Sequence, residues 1–306
     1  MRLVFAGTPA AAVPTLRRLA AEHDVVGAVT RPDAPLGRKR VLTPSPVAQA
    51  AVELGIPVIA AARLDAEATE RILALEPELG VIVAYGGLVR EPLLSGPREG
   101  WINLHFSILP AWRGAAPVQR ALIAGDPVLG SSVFQLVAEL DAGDVFASRA
   151  VTLPAAATAD EALAALAEDG AELTAQVVAG IADGSARAIP QTGEPTFAPK
   201  LALEDGALDW SLPLEPVFAR FRGVTPEPGA HTTVGGMRLK ILEAAPAADA
   251  APLAPGEIGA TKTSVLIGTA STPLAVTRVQ PAGKGAMNAA DWWRGQRDAE
   301  GMRAGS

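Results

Sequence analysis

The chain has 306 residues, of which 49% are hydrophobic, and its 26 basic and 33 acidic side chains give a formal net charge of −7. This length exceeds one typical domain, so two domains are expected, with enough apolar residues for a substantial core. The negative charge argues against indiscriminate nucleic-acid binding, which depends on Lys and Arg side chains that release counterions, so any RNA contact must be local.

The absence of cysteine excludes disulfides, thiolate metal sites and an acyl-thiol intermediate, and it is typical of a reducing compartment. Three histidines, His23, His105 and His231, are too scattered to indicate a zinc site, and no metal is expected. No apolar stretch reaches the length of a membrane span, and the start of the sequence leaves no room for a secretion signal. We therefore expect a cytoplasmic protein with no membrane partner.

Short apolar runs alternate with helical patterns through the first part of the chain. The runs predicted as strands are Leu3–Ala6, Val25–Thr30, Pro57–Ala60, Leu79–Ala84 and Gly100–Phe106. This alternation predicts an α/β fold with a doubly wound, mostly parallel sheet, which binds ligands at the carboxyl ends of its strands. The segment Phe5–Pro9 after the first strand lacks the GxGxxG pattern, so a dinucleotide cofactor is disfavoured.

A basic strip follows the second predicted strand. The residues Arg31–Arg40, RPDAPLGRKR, carry four basic side chains against the single acidic Asp33. Taken alone, a basic loop of this kind is most often a solvated surface. It is nevertheless the strip that qualifies for a local RNA contact.

An amide and an imidazole lie two positions apart in the fifth predicted strand. Because side chains alternate along a strand, Asn103 and His105 are expected to share one face, roughly 7 Å apart, while Ile102 and Leu104 point into a core. An amide can stabilise a developing oxyanion and an imidazole can move a proton, and an acyl transfer needs both. These residues alone are equally compatible with a surface strand that carries a stray histidine.

A long helix is predicted after the first set of strands. Thr158 and Glu161 form a capping box that opens it, its apolar stripe is ordinary core packing, and Gly180 and Gly184 mark its end. Beyond it, the regular pattern dissolves between about Pro190 and Asp209, which indicates a linker.

The last part of the chain changes to a period of two. His231–Val234 and Met237–Leu242 flank a pair of glycines, which predicts a tight hairpin. Further short strands are predicted at Ser264–Ile267 and Leu274–Val279. A small antiparallel barrel fits these strands, and periodicity alone also allows a sandwich.

Several strings of this sequence resemble those of one enzyme family. NLHFSILPAWRGAAP at Asn103–Pro117 and ELDAGD at Glu139–Asp144 resemble the signature of the 10-formyltetrahydrofolate-dependent formyltransferase family, in which an aspartate follows the histidine by 36 residues, as Asp141 follows His105. The strings AGTP, PSPV, WRGAAPVQ and QPAGKGAM, in that order, resemble the branch of the family that formylates methionyl-tRNA.

The resemblance implies an enzyme that transfers the formyl group of 10-formyltetrahydrofolate, a co-substrate, to the α-amino group of methionyl initiator tRNA. The catalytic residues it implies are Asn103, His105 and Asp141. Asn103 would donate a hydrogen bond to the oxyanion of a tetrahedral intermediate, His105 would shuttle the proton, and Asp141 would orient the imidazole or hold a relaying water. Direct transfer is expected, because no candidate nucleophile for a covalent intermediate is present.

The resemblance also implies two sets of binding residues. Those expected to border the tetrahydrofolate are Ser107, Ile108, Leu109 and Pro110. The loop of residues 31–46 is assigned to the acceptor end of the tRNA. Its expected contacts are Arg38, at the position of the family's wedge-loop arginine, Lys39 and Arg40.

The domain organisation expected from the resemblance has three parts. Residues 1–189 would form a formyltransferase catalytic domain with a Rossmann-like sheet, residues 190–206 a linker, and residues 207–306 an OB-type β-barrel that binds tRNA. The barrel assignment depends mainly on the resemblance. A bacterial, cytoplasmic monomer is expected.

Two other functions are compatible with parts of the sequence. A folate-dependent formyltransferase acting on a small amine, such as an amino sugar or a glycinamide ribonucleotide, would use the same three catalytic residues but would need neither the basic loop nor so large a carboxyl-terminal region. A non-catalytic tRNA-binding protein would have no use for a correctly placed imidazole.

Overall fold

The computed structural model describes residues 1–37, 40–296 and 301–306. Two compact units are formed. The first comprises Met1–Pro117, Val128–Thr152 and Leu163–Ala198, and the second comprises Val118–Pro127, Leu153–Ala162 and Pro199–Ser306. The predicted domain boundaries at residues 189 and 206 stay predictions.

The first unit contains an α/β arrangement of strands and helices. Its strands are β1 (Arg2–Gly7), β2 (Asp24–Thr30), β3 (Ala34–Leu36), β4 (Val41–Thr43), β5 (Val58–Ala60), β6 (Leu79–Val83), β7 (Trp101–His105), β8 (Leu129–Gln135) and β9 (Val145–Val151). Its helices are α1 (Val13–Ala20), α2 (Pro46–Glu53) and α3 (Ala66–Leu73). Of the next two helices, α4 (Pro117–Ala124) belongs to the second unit from Val118 onward, whereas α5 (Ala159–Asp183) belongs to the first unit from Leu163 onward.

Seven of these strands form one sheet in the order β5-β2-β1-β6-β7-β8-β9. The pairs from β5 to β7 are parallel, whereas β7–β8 and β8–β9 are antiparallel. The predicted mostly parallel sheet is confirmed, and each of the five predicted strands forms to within one residue at either end.

The centre of the sheet is buried on both faces, as expected where helices cover a parallel sheet. Leu3, Val4 and Phe5 of β1 are fully buried. Gly80 of β6 makes room for the indole of Trp101 on β7, because a Cβ at Gly80 would lie 2.1 Å from Trp101 Cδ2. Trp101 Nε1 donates to the carbonyl oxygen of Leu93, so the indole N–H is satisfied inside the core.

The helix predicted to begin at Thr158 is also confirmed. Glu161 Oε2 accepts from the backbone N of Thr158 at 2.8 Å, and the Glu161 backbone N lies 3.5 Å from Thr158 Oγ1. The helix ends at Asp183 because Gly184 has a φ of 76°.

The second unit is built on an antiparallel sheet. Its elements are α6 (Leu214–Val224), β10 (His231–Val234), β11 (Met237–Pro246), β12 (Ile258–Ala260), β13 (Val265–Ile267), β14 (Leu274–Pro281), β15 (Met287–Asn288) and α7 (Ala289–Arg294). The strand order is β10-β11-β14-β13-β12, with β15 also paired to β14. Gly235 and Gly236, with φ of 57° and 71°, form the predicted turn between β10 and β11.

Register shifts between Ile241 and Ala244 bulge β11 against β14, and such bulges curve a sheet. The predicted antiparallel, barrel-type sheet after the parallel one is therefore confirmed. None of the described helices is long and apolar enough to cross a membrane.

Candidate active site

A cleft of about 430 Å³ opens at the carboxyl ends of β6 and β7 in the first unit. Three segments form most of its wall, namely residues 84–89 after β6, residues 103–106 at the end of β7, and residues 136–141 after β8. Asn103, His105 and Asp141 all line this cleft. The structure thus brings together the three side chains predicted to be catalytic.

The two ring nitrogens of His105 face different partners. Nε2 lies 2.9 Å from the carbonyl oxygen of Trp112, and Nδ1 lies 3.8 Å from Asp141 Oδ2. A carbonyl oxygen only accepts hydrogen bonds, so Nε2 carries the proton of the neutral ring. Nδ1 is therefore the nitrogen that can take up a further proton, and the resulting imidazolium would face the Asp141 carboxylate.

Burial lowers the pKa of His105 below its ordinary value, while the Asp141 carboxylate and the Trp112 carbonyl oppose this effect. Only 6% of the histidine is exposed, so the loss of water around the charged ring is the larger effect. His105 is therefore neutral at pH 7, which is the form that a general base needs.

Asp141 is held by backbone and side-chain groups of other segments. Its Oδ2 accepts from the backbone N of Gly114 at 2.7 Å, and its carbonyl oxygen accepts from Gln191 Nε2 at 2.8 Å. Gly114 has a φ of 122°, and a Cβ there would lie 2.8 Å from the carbonyl oxygen of Ala198. A glycine is thus required where this backbone amide approaches the carboxylate.

Asn103 differs from the other two residues in the environment of its side-chain amide. It lies in β7 opposite Phe134 of β8 and is half-buried in the cleft wall. Among the residues that the structure describes, no group hydrogen-bonds its side chain. Its amide is therefore available to a ligand in the cleft.

The segment predicted to border the folate, Ser107–Pro110, does not line the cleft. β7 ends at His105, so the alternation of side chains stops before Ser107, whose hydroxyl donates to the carbonyl oxygen of Ala111 at 2.6 Å. The backbone N of Leu109 donates to Ser132 Oγ at 3.1 Å. Ile108 and Pro110 are half-buried in the same turn. The folate-binding role of these four residues stays a prediction.

Sequence reasoning missed the cleft wall at residues 84–89. Tyr85 is buried, and its hydroxyl donates to the carbonyl oxygen of Ala61. Arg31 Nη2 donates to the carbonyl oxygen of Gly86 at 2.9 Å, which fixes the turn from the outside. The signal that could have found this wall is the glycine pair Gly86-Gly87 directly after a buried strand that neighbours β7.

Within the basic strip, Ala34–Leu36 form the exposed strand β3, which pairs with β4 just after the strip, and this strand pair was not predicted. Arg38 and Lys39 lie outside the described residues, and Arg40 is exposed with a φ of 49°. Leu36, Val41 and Leu42 are exposed on the same hairpin. The predicted tRNA contacts of Arg38, Lys39 and Arg40 stay predictions. No group of three or more potential metal ligands occurs within the described ranges.

A ligand cleft at the carboxyl ends of a mostly parallel sheet, with a neutral imidazole facing a buried carboxylate, is typical of α/β enzymes that move protons. Two family models match the chain, formyl transferase over residues 1–178 and formyl transferase, C-terminal domain, over residues 200–297. The chain belongs to the formyl transferase family.

Curated relatives match almost the whole chain. A methionyl-tRNA formyltransferase of Clavibacter sepedonicus is 62% identical over 296 residues, which are 96% of this chain and 97% of the relative. Proteins of the same name from Leifsonia xyli and an Arthrobacter species are 60% and 54% identical, covering 96% and 99% of this chain and 97% and 99% of the relatives.

Solved structures share the fold at low sequence identity. An N-formyltransferase from Helicobacter canadensis, in complex with folinic acid and dTDP-3-aminofucose, matches with a TM-score of 0.70 and 14% identity, covering 91% of this chain and 98% of that one. HypX from Aquifex aeolicus matches with a TM-score of 0.65 and 19% identity, covering 97% of this chain and 48% of that one.

Proposed function

We propose that the protein transfers the formyl group of 10-formyltetrahydrofolate to the α-amino group of methionyl initiator tRNA, giving N-formylmethionyl-tRNA for the start of translation. The observation that carries this proposal is the meeting of Asn103, His105 and Asp141 in one cleft. It is supported by relatives named methionyl-tRNA formyltransferase that share more than half of the residues over nearly the full length.

The proposed reaction is a direct acyl transfer. The amino nitrogen attacks the formyl carbon, a new C–N bond forms, and the carbonyl oxygen becomes an oxyanion that accepts a hydrogen bond from the Asn103 amide. His105 Nδ1 takes the proton that the attacking nitrogen loses, and Asp141 stabilises the imidazolium. When the tetrahedral intermediate collapses, the bond between the formyl carbon and N10 breaks. The same proton passes to N10, and the product is tetrahydrofolate.

The cleft suits the flat, bicyclic pterin ring of the folate. Its walls combine apolar side chains such as Leu88 and Leu136 with backbone polar groups of two irregular segments, 84–89 and 137–141. Apolar walls with a few backbone donors and acceptors are the usual setting for such a ring. We assign the pterin to this cleft, with Ser107, Ile108, Leu109 and Pro110 bordering the rest of the folate.

We assign the acceptor end of the tRNA to the loop of residues 31–46, with Arg38, Lys39 and Arg40 as its contacts. A protruding basic loop can grip phosphates and splayed bases while the charged end enters the cleft. In this proposal residues 1–189 are the catalytic domain, 190–206 the linker and 207–306 the tRNA-binding barrel domain. The protein acts as a monomer in the bacterial cytoplasm, where protein synthesis takes place.

The test is incubation of the protein with 10-formyltetrahydrofolate and methionyl initiator tRNA, with formylmethionyl-tRNA measured as product. We expect His105→Ala to lower kcat by at least about 100-fold while tRNA affinity stays within about twofold. A wild-type protein that leaves the tRNA unmodified but formylates an amino sugar or a glycinamide ribonucleotide would refute the assignment of substrate.

A further inference from the structure

The side chain of Gln191 connects two segments beside the cleft without lining the cleft itself. Its Nε2 donates to the carbonyl oxygens of Asp141 and Gly143, both at 2.8 Å. Its Oε1 accepts from Arg113 Nη2 at 2.7 Å and from Arg113 Nε at 3.2 Å. Both ends of this amide are therefore hydrogen-bonded, and its NH₂ group donates only to the loop that carries Asp141, among the described residues.

That loop needs to be held in place. Asp141 has a φ of 47°, a left-handed conformation that is unfavourable for a residue with a side chain and persists only where the surroundings enforce it. Two donated hydrogen bonds, to the carbonyl oxygens of residues 141 and 143, fix two of the peptide planes that directly follow this strained position. The direction in which the Asp141 carboxylate points follows from those planes.

Arg113 connects the Gln191 amide to the segment of Trp112, whose carbonyl oxygen is the second partner of the His105 ring. It lies between Trp112, whose carbonyl oxygen meets His105 Nε2, and Gly114, whose backbone N meets Asp141 Oδ2. Only 9% of the Arg113 residue is exposed. Its Nη1 lies 3.7 Å from Glu139 Oε1. One Arg113–Gln191 pair thus joins the two segments that position the groups around the imidazole.

The backbone around this pair is paired as well. Arg113 N donates to the carbonyl oxygen of Thr196 at 2.9 Å, and the carbonyl oxygen of Arg113 accepts from Ala198 N at 2.7 Å. Trp112 N donates to Thr196 Oγ1 at 2.9 Å. Residues 191–198 therefore brace residues 112–114 by backbone and side-chain contacts, and the Gln191 side chain extends this brace to the Asp141 loop.

We propose that Gln191 and Arg113 are positioning residues that hold the Asp141 carboxylate in line with His105 during formyl transfer. This inference rests on the proposed function. Neither residue lines the cleft, so both act through Asp141 and through the loop of residues 112–114.

The test substitution is Gln191→Glu. It keeps the shape and the acceptor for Arg113, so the buried guanidinium stays paired, but it replaces the two donated hydrogen bonds by a carboxylate oxygen facing two carbonyl oxygens. We expect kcat for formylation to fall about 10- to 100-fold, because a misplacement of about 1 Å is enough for such a loss. The KM values for tRNA and folate should stay within about twofold, since the groups that touch the substrates are kept.

The matched control is Gln176→Glu. Gln176 also accepts from an arginine, Arg149, and donates to an oxygen of Glu172, but it lies on α5 and does not line the cleft. Its kcat should be unchanged. If the buried carboxylate of Gln191→Glu prevents folding, as judged by thermal unfolding, Gln191→Met removes the donors without adding a charge and takes its place.

A double-mutant cycle with Asp141→Asn separates positioning from a general structural role, with the residual activity measured in single turnovers. If Gln191 acts through Asp141, its substitution should have almost no further effect in the Asp141→Asn background. The same fold loss in both backgrounds, an unchanged kcat, or a rise in KM alone would overturn the inference. An inactive wild-type protein would instead overturn the proposed function.

Discussion

His105 has two nitrogens with different tasks, and this asymmetry decides what the residue can do. Nε2 is committed to the carbonyl oxygen of Trp112, so Nδ1 is the nitrogen left to exchange protons beside Asp141. A neutral histidine is needed for that exchange, and its burial keeps the pKa low enough for the neutral form to dominate at pH 7. The pH dependence of the reaction should therefore report this residue.

We expect kcat to rise with pH through the pKa of His105, at a midpoint below the ordinary value of about 6.5, and then to reach a plateau. Protonation removes the base, so activity is lost as pH falls through this pKa. Asp141 raises the pKa of His105, so Asp141→Asn should move the midpoint to lower pH and lower the plateau by at least about 100-fold. A midpoint that moves to higher pH in this variant would contradict the proposed role of Asp141.

Asn103→Ala should remove the oxyanion donor without disturbing the cleft. Its amide has no partner among the described residues, so truncation leaves no buried group unsatisfied. Loss of one such donor typically costs about 100- to 1,000-fold in kcat, or about 3 kcal/mol in transition-state stabilisation. Steady-state kinetics should show this loss in kcat with nearly unchanged KM values. A large rise in the KM for folate would instead make Asn103 a ground-state binding residue.

At the scale of elements, loops determine the site as much as strands do. Trp112 and Asp141, which face the two nitrogens of His105, both have left-handed backbone conformations, with φ of 61° and 47°. Gly114, which follows Trp112 by two residues and donates its backbone N–H to Asp141, has a φ of 122°. The shape of this loop system therefore depends on backbone positions that few side chains tolerate.

Gly114→Ala should weaken both stability and catalysis. The added Cβ would lie 2.8 Å from the carbonyl oxygen of Ala198 at an unfavourable φ, which we expect to lower the free energy of unfolding by about 1–3 kcal/mol. It should also lower kcat, because Gly114 N holds Asp141. Gly55, with a φ of 70° and nothing within 4 Å of an added Cβ, provides the control. Gly55→Ala should cost stability in denaturant titrations but leave kcat unchanged.

The strands of the sheet centre and the β10–β11 hairpin could be predicted from sequence, because their apolar patterns and glycine pair are local signals. The strand β8 could not, because its sequence LGSSVFQ places the buried hydroxyls of Ser131 and Ser132 where an apolar pattern is expected. Ser132 is tolerated there because its hydroxyl meets Ser107 and Ser148. Such partners are set by the tertiary fold.

The candidate site shows the same division. The shared face of Asn103 and His105 could be predicted from alternation along a strand, and Asp141 could be predicted from the resemblance to a family. The hydrogen bond from Gln191 to the Asp141 loop spans 50 residues and leaves no local signal in the sequence.

The molecule as a whole carries a net negative charge, as does its tRNA substrate. A net charge of −7 repels a polyanion at long range, so tRNA must be recognised by local clusters of basic residues. The exposed β3–β4 hairpin carries such a cluster in sequence, and Arg40 is exposed there. Selection of the tRNA should therefore depend on a few side chains.

Arg38→Ala should weaken the preference for initiator over elongator methionyl-tRNA, with a smaller effect on folate binding. It should also make the tRNA affinity less dependent on salt, with a slope that is smaller by about 0.7–0.9 for each phosphate that Arg38 neutralises. Affinities for both tRNAs over a range of salt concentrations measure both effects, and Arg63→Ala, at an exposed arginine outside the hairpin, is the control. Equal reductions in affinity for both tRNAs would show that Arg38 does not contribute to the selection of initiator tRNA.

The bracing of residues 112–114 by residues 191–198 has a consequence for anyone who shortens or recombines this protein. A chain cut after residue 189 keeps every side chain that lines the cleft but lacks Gln191, Thr196 and Ala198. Hybrids that exchange carboxyl-terminal halves between relatives should therefore be joined after Ala198, so that each catalytic half retains its own brace.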